Sequence, residues 1–342
     1  MTDVQLDPTK RGYWTSDQEV RWCPGCGDYG ILAAVQFLHA ELDVKREDTV
    51  FISGIGCAAR FPYYMSTYGM HTIHGRSPAI ATGLAISRPD LNIWVVGGDG
   101  DMLSIGGNHL IHALRRNVNV TILLFNNQIY GLTKGQFSPT SEVGKVTKST
   151  PMGSIDRPFN PISLALGAGA TFVGRTHDLD RKHMIEVFRR AHEHRGASLV
   201  EIYQNCNVFN DGAYESITKR DVRADMMIDL VDGEPVRFGA DNQRGVVMRD
   251  GRAQVVDVAD VGESALVVHH ESSHDTTPAF AMSLLATDNV SPTPFGIFRA
   301  VEGPEYGEYS EMVNQQLLTA NEQSGPGDLK DLLRSGATWT VS

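Results

Sequence analysis

From residue 93 the chain reads Ile93-Trp94-Val95-Val96-Gly97-Gly98-Asp99-Gly100-Asp101. A second apolar run, Val120 to Phe125, ends in Asn126-Asn127, with 25 residues between Gly100 and Asn126. Both runs have the length and β-rich content of fully buried strands. Gly107–Arg115 between them has helical spacing, and a strand, a helix and a strand of this length make a parallel crossover. Working outward, Val50-Phe51-Ile52 runs into Ser53-Gly54-Ile55-Gly56-Cys57, and Leu199 to Tyr203 runs into Gln204-Asn205-Cys206. Helical segments are expected at Tyr29–Leu42, Ala79–Ser87, Pro161–Ala168 and Arg181–His194. This alternation predicts an α/β fold on a parallel sheet. In such sheets ligands bind at the carboxyl ends of the strands. Cys57, Asp99, Asn127 and Cys206 all follow strands, so all four are expected along one edge.

The chemistry of the first stretch is that of a diphosphate with a divalent cation. Mg²⁺ takes hard oxygen ligands in octahedral geometry. Asp99 offers a carboxylate, Asn127 an amide oxygen, and Ile129 a main-chain carbonyl. Gly98 and Gly100 let backbone approach phosphate, and a helix N-terminus behind them favours the anion. Gly98-Asp99-Gly100 followed at this spacing by paired asparagines is the thiamine diphosphate signature. A glycine-rich turn in an ordinary doubly wound sheet is the bland alternative.

The four cysteines are Cys23, Cys26, Cys57 and Cys206. Four thiolates suffice for one iron–sulfur cluster or one structural zinc. Only Cys23 and Cys26 form a CxxC, in Trp22-Cys23-Pro24-Gly25-Cys26-Gly27. Structural zinc sites usually pair two such knuckles. A cluster, a zinc ion, or four unrelated thiols remain the readings of the residues alone.

Composition narrows the partners. The chain has 342 residues, 41% apolar and 21% charged, with a formal charge of −11. That is a globular chain with ample core. Its negative charge argues against nucleic acid and anionic membrane surfaces. The apolar runs are too short to span a bilayer. The polar, acid-containing N-terminus is not a signal peptide. A cytoplasmic address is expected, where cysteines are more often ligands or free thiols than disulfides.

These motifs together resemble the β subunit of the 2-oxoacid:ferredoxin oxidoreductases, most of all the 2-oxoglutarate type. The resemblance rests on Trp22–Gly27, Gly54-Ile55-Gly56-Cys57, His74-Gly75-Arg76, Gly98–Asp101, the run Asn126 to Gln136, and Asn205-Cys206. It implies a PP-type thiamine diphosphate-binding domain. It implies a [4Fe–4S] cluster on Cys23, Cys26, Cys57 and Cys206. It implies Mg²⁺ on Asp99, Asn127 and the Ile129 carbonyl, and a cofactor site lined by Gly56, Cys57, His74, Gly98, Gly100 and Asp101. The rest of that site, with an activating glutamate, would come from an α subunit, in an (αβ)₂ assembly; this chain alone should be inactive. The implied reaction is coenzyme A-dependent oxidative decarboxylation of 2-oxoglutarate to succinyl-CoA, with electrons passed to ferredoxin. The same chemistry on pyruvate or branched 2-oxoacids is the nearest alternative, then a non-catalytic cluster-bearing electron-transfer subunit. A non-oxidative thiamine lyase would lack the cysteines.

Several further expectations follow. Lys134 and Arg76 are candidate catalytic residues. Lys134 would meet a substrate carboxylate or coenzyme A phosphate, or be a solvated lysine. Arg76 would hold an anion or pin its loop by a salt bridge. The Ser/Thr/Pro/Gly stretch from Ser138 to Pro161 reads as a functional or disordered loop. His269 to Asp275 fits no zinc spacing and reads as capping before a helix at Thr277–Ala286. Phe295-Gly296-Ile297-Phe298-Arg299 is expected to pack on the partner subunit. The domains are expected as an extended arm over 1–21, a cofactor domain over 22–220, and a small C-terminal extension over 221–342. Residues 221–265 suggest no role.

Overall fold

The computed structural model of the chain describes residues 7–286, 288–302, 307–324, 327–336 and 339. Its frame is an eight-stranded sheet. In chain order the strands are β1 (Thr49–Ser53), β2 (Tyr68–His71), β3 (Asn92–Gly98), β4 (Val120–Asn126), β5 (Phe172–His177), β6 (Ala197–Tyr203), β7 (Met227–Leu230) and β11 (Thr293–Ala300). Across the sheet they run β2-β1-β3-β4-β6-β5-β11-β7. All the pairs are parallel except β11 against β5. The sheet is thus nearly all parallel, and β1, β3, β4 and β6 are consecutive neighbours. That adjacency puts the four strand-end segments of the sequence argument side by side.

Alternation along each strand serves two cores. Val95, Ile122, Leu124 and Leu199 face one side, against helices Ser77–Ser87, Gly107–Arg115 and Pro161–Gly167. Trp94, Val96, Leu123, Phe125 and Val200 face the other, against helices Asp28–His39 and Arg181–Glu193. Each fully buried aliphatic or aromatic side chain contributes roughly 1.5–3 kcal/mol. Two apolar faces explain why the central strands read as unbroken apolar runs.

Some expectations fare differently. The arm is not extended as far as it is described: Arg11–Trp14 is a helical turn, and Trp14 is fully buried beside His39. Residues 1–6 lie outside the described residues. The chain crosses residue 220 inside one sheet, because β7 and β11 from beyond it pair with each other and β11 with β5. Phe295–Arg299 does not offer a face to a partner. It is the interior of β11, with Phe295 and Phe298 buried. The rest of the C-terminal portion carries a small antiparallel sheet of β8 (Arg237–Phe238), β9 (Arg244–Arg249) and β10 (Arg252–Asp257). Its last residues lie partly outside the described ones. His269 is buried, with its Nε2 2.7 Å from the Ile297 carbonyl, and Asp275 Oδ1 accepts from Thr277 N. That segment is structural, and the helix it caps is Thr277–Ser283. Among the described residues no helix is long and apolar enough to cross a membrane.

Candidate active site

The carboxyl edge of β1, β3, β4 and β6 carries two neighbouring arrangements. The first is built on β3. Asp99 and Asp101 open the helical turn that follows the strand, and both are buried. Asp101 gathers loops. Its Oδ1 accepts from Ile55 N at 3.1 Å after β1 and from Gly75 N at 2.9 Å after β2, and His74 Nδ1 stands 2.5 Å away. Burial raises the Asp101 pKa, and the Gly75 and Ile55 amides pull it back. One carboxylate therefore fixes both glycine loops expected beside a diphosphate. Gly56 has φ of +133°, a backbone angle L side chains rarely adopt, and an added Cβ there would meet open space. That is the geometry of a backbone cradle with its ligand face clear.

Asp99 is held by two hydroxyls that sequence reasoning missed. Ser138 Oγ donates to its Oδ2, and Thr140 Oγ1 lies 2.5 Å from the same oxygen. Thr140 Oγ1 is also 2.8 Å from Asn126 Oδ1, and Asn126 Nδ2 donates to Glu201 Oε1 at 2.7 Å. Glu201 in turn accepts from Arg175 Nε at 2.7 Å, a fully buried cross-strand ion pair. Burial pushes the Asp99 pKa up to about 6 against these hydroxyl bonds. A buried carboxylate with little countercharge beside it suits a cation. Asn127 and Ile129 stand in the turn after β4. Asn127 Oδ1 accepts from Ile129 N at 3.1 Å, and Asn127 Nδ2 donates to Gln204 Oε1 at 2.8 Å. A carboxylate, an amide oxygen and a main-chain carbonyl at Asp99, Asn127 and Ile129 are the kinds of donor Mg²⁺ would take.

The loop from Ser138 to Pro161 is ordered where it matters. Ser138, Thr140 and Ser141 are buried, and Ser141 Oγ donates to the Gln128 carbonyl. Its sequence signal was only a hydroxyl-rich turn composition. Among the described residues Arg76 forms no ion pair; its Nη1 donates to the His74 carbonyl at 3.1 Å and the Ile105 carbonyl at 3.4 Å. A guanidinium bridging two carbonyls positions the His74 loop.

The second arrangement is the cysteines. All four line one cavity of about 180 Å³, together with Trp22, Asn127 and Lys134 among others. Backbone ties explain why three distant segments meet. Trp22 Nε1 donates to the Cys57 carbonyl at 2.7 Å. Gly27 N donates to the Asn205 carbonyl at 3.1 Å, and Asp178 Oδ2 accepts from Asn205 N at 2.7 Å. A Cβ at Gly27 would fall 1.8 Å from that carboxylate, so only glycine allows the approach. Gln204 Nε2 lies 3.3 Å from Cys26 Sγ, and Asn207 Nδ2 donates to the Pro24 carbonyl at 2.6 Å.

A zinc ion would draw its sulfurs to about 2.3 Å from one point. Among the described residues no three His, Cys, Asp or Glu side chains are placed to hold one ion. The four cysteines line one cavity, and a Cβ at Gly131 would lie 3.4 Å from Cys57 Sγ and 3.8 Å from Cys206 Sγ. Four soft donors lining one cavity fit an iron–sulfur cluster. Burial raises the Cys26 thiol well above its usual pKa and the Cys57 thiol to about 11, with Asp28 adding to both. Asp28 is itself buried and pushed up to about 7. Burial thus favours the protonated forms of Cys26 and Cys57, and a metal bound there would have to displace their protons. Lys134, at φ +77°, lines this cavity and an adjoining groove, away from Asp101 and His74. A larger cavity, about 660 Å³, borders the Asp99 network through Thr140, Asn126 and Glu201 and extends over Arg175.

Known proteins share this plan. Residues 54–202 match the model of the thiamine pyrophosphate enzyme C-terminal TPP-binding domain. The 2-oxoglutarate oxidoreductase subunit KorB of Mycobacterium tuberculosis is 56% identical over 336 residues, 98% of this chain and 89% of that protein. The 2-oxoacid:ferredoxin oxidoreductase subunit beta of a Sulfolobus species is 45% identical over 218 residues, 63% of this chain and 70% of that protein. A solved 2-oxoglutarate:ferredoxin oxidoreductase from Magnetococcus marinus, with 2-oxoglutarate, coenzyme A and succinyl-CoA bound, aligns with a TM-score of 0.73 at 33% identity. It covers 97% of each chain.

Proposed function

The chain belongs to the β subunits of the 2-oxoacid:ferredoxin oxidoreductases, and from that membership we propose that, with an α subunit, it oxidatively decarboxylates 2-oxoglutarate. 2-Oxoglutarate and coenzyme A thiol become succinyl-CoA, CO₂, one proton and two electrons, and each electron reduces one ferredoxin. Thiamine diphosphate supplies the electron sink for loss of CO₂, and a [4Fe–4S] cluster a one-electron acceptor. Asp99, Asn127 and the Ile129 carbonyl hold the Mg²⁺ of the diphosphate. Gly98, Gly100, Gly56 and His74 line the cofactor, while Asp101 fixes their loops. Ser138 and Thr140 aim the Asp99 carboxylate. Cys23, Cys26, Cys57 and Cys206 hold the cluster. Arg76 acts as a positioning residue through carbonyls. Lys134 places its charge on the electron path. Segments 54–56 and 73–76 expose Ile55 and Ile73, and Ile105 is exposed as well, the apolar surface an α subunit would cover. The complex works in the cytoplasm, where reducing conditions suit its thiols.

The observation that carries this reading is Asn127. It belongs to the Mg²⁺ set and also lines the cysteine cavity, so oxidant and thiamine share a wall. The test is anaerobic purification with the α subunit, metal and thiamine analysis, and coenzyme A-dependent dye reduction with 2-oxoglutarate, pyruvate and a branched 2-oxoacid. Iron with thiamine and preferential turnover of 2-oxoglutarate is expected. Zinc without iron would overturn the cluster, and preference for pyruvate would overturn the substrate.

A further inference from the structure

Gln204 stands between the two arrangements. It follows β6, is buried, and lines the cysteine cavity together with Asn127. Its side-chain amide touches both sides. Oε1 accepts from Asn127 Nδ2 at 2.8 Å, while Nε2 donates to the Asn205 carbonyl at 2.6 Å and lies 3.3 Å from Cys26 Sγ. The direction of this amide is fixed from its two ends. The Asn205 carbonyl can only accept, so it faces nitrogen, and Oε1 is left for Asn127. Asn127 must then turn its own nitrogen to Gln204. Its Oδ1 falls on the far side, where Ile129 N donates to it at 3.1 Å. A backbone acceptor at one end and a backbone donor at the other leave one arrangement of the two amides. Nε2 carries two protons, one for the Asn205 carbonyl and one for the sulfur. Holding the two turns together does not need this side chain. Gln204 N already donates to the Asn126 carbonyl at 2.9 Å, and Asn210 Nδ2 to the Asn127 carbonyl at 2.9 Å. Packing alone would favour an apolar residue, because burying an amide is costly unless both ends are paired.

We propose that Gln204 is a positioning residue shared by both cofactors: its oxygen fixes which end of the Asn127 amide serves the metal, and its nitrogen donates to the Cys26 sulfur and raises the potential of the cluster. The inference rests on the cofactor reading above and deepens it. Mg²⁺ takes an amide oxygen, not an amide nitrogen. Gln204 keeps the Asn127 nitrogen on its own side, so the oxygen stays on the Ile129 side with a second lone pair for a cation. At the other end, an electron added to the cluster increases the negative charge on its sulfurs. An N–H aimed at one of them is therefore worth more in the reduced state. Hydrogen bonds to the sulfurs are among the determinants of cluster potential. One buried amide thus serves the site where electrons arise and the site that accepts them.

The test uses the anaerobic αβ complex, first without substitution. With glutamine labelled by ¹⁵N in its side-chain amide, the dithionite-reduced cluster should show a ¹⁵N hyperfine coupling in pulsed electron paramagnetic resonance, since Gln204 Nε2 is placed at a ligand sulfur. Gln204→Met keeps the length of the side chain, removes the amide and should abolish the coupling. In that variant the ratio of reduced to oxidised cluster at a fixed potential should fall about tenfold, or about 59 mV for a one-electron couple. Its thiamine diphosphate affinity should weaken about fivefold. Asn207→Ala is the control for a loosened CxxC loop, because it removes a bond to the Pro24 carbonyl that involves no sulfur. The iron it retains should titrate at the wild-type potential. Absence of the ¹⁵N coupling in an iron-loaded wild type overturns the proposal and leaves the cofactor reading standing, and this measurement decides even where Gln204→Met loads no iron. An unshifted potential or an unchanged thiamine diphosphate affinity in iron-loaded Gln204→Met overturns it too, as does an equal shift of potential in Asn207→Ala. A wild-type complex without iron or thiamine diphosphate fails the cofactor reading, and the inference falls with it.

Discussion

The two arrangements on the carboxyl edge are built on opposite plans. On the Asp101 side, polar groups converge on filled centres: one carboxylate collects the loops after β1 and β2, and another is gripped by Ser138 and Thr140. Its outer surface is apolar and exposed at Ile55, Ile73 and Ile105. On the cysteine side, the ties run around the rim and leave the centre open. All four thiols there come from this one chain. The difference teaches which half is self-sufficient. On the proposed reading the cysteine side would be complete within the chain, whereas the diphosphate side would be one half of a site that another subunit closes.

The sharpest way to break that contrast is Asp99→Ala. Removing the one carboxylate that faces the cation should lower Mg²⁺ and thiamine diphosphate retention more than 100-fold, about 3 kcal/mol, at unchanged iron content. Thiamine and iron analysis of the same sample checks it. Cys206→Ser is the mirror case. Iron should fall to background while thiamine diphosphate still binds in the complex. Loss of both cofactors in either variant would mean that the two halves stand or fall together.

Gly27→Ala attacks the rim rather than a ligand. Its methyl would meet Asp178 Oδ2 and part the CxxC segment from Asn205. Overpacking of this kind costs about 1–3 kcal/mol. Reduced iron occupancy and a lower melting temperature are expected, with partial recovery in Gly27→Ala/Asp178→Ala. No recovery would place the damage elsewhere. The smallest effect is expected from Thr140→Val. It removes one hydroxyl from Asp99 and Asn126 but keeps the shape, a loss of about 1 kcal/mol. Thiamine diphosphate affinity should weaken about fivefold by titration of the complex, and iron should not change.

Most of the frame was legible because the central strands are buried on both faces. Ile93 to Val96 and Val120 to Phe125 announce themselves as apolar runs, and the site residues follow them directly. β2 and β5 are among the strands that gave no such signal. β2 is an edge strand whose four residues are all exposed, so nothing apolar marks it. β5 is interrupted by Gly174 and by Arg175, which is buried only because Glu201 sits opposite it on β6. Periodicity cannot register a polar residue that is buried by pairing. The same limit hid Ser138, Thr140 and Gln204, whose roles depend on contacts across 39, 41 and 77 positions. It also misread Phe295–Arg299, where an apolar run near the C-terminus turned out to be an inner strand rather than an interface.

The central claim is that electrons generated at the Asp99 half arrive at the cysteine half. Freeze-quenched electron paramagnetic resonance of the anaerobic αβ complex tests it most directly. On adding 2-oxoglutarate, the wild type should develop a reduced [4Fe–4S] signal. Asp99→Ala should develop none, although dithionite reduces its cluster fully. A substrate-induced cluster signal in Asp99→Ala, or none in a wild type loaded with both cofactors, would contradict the account.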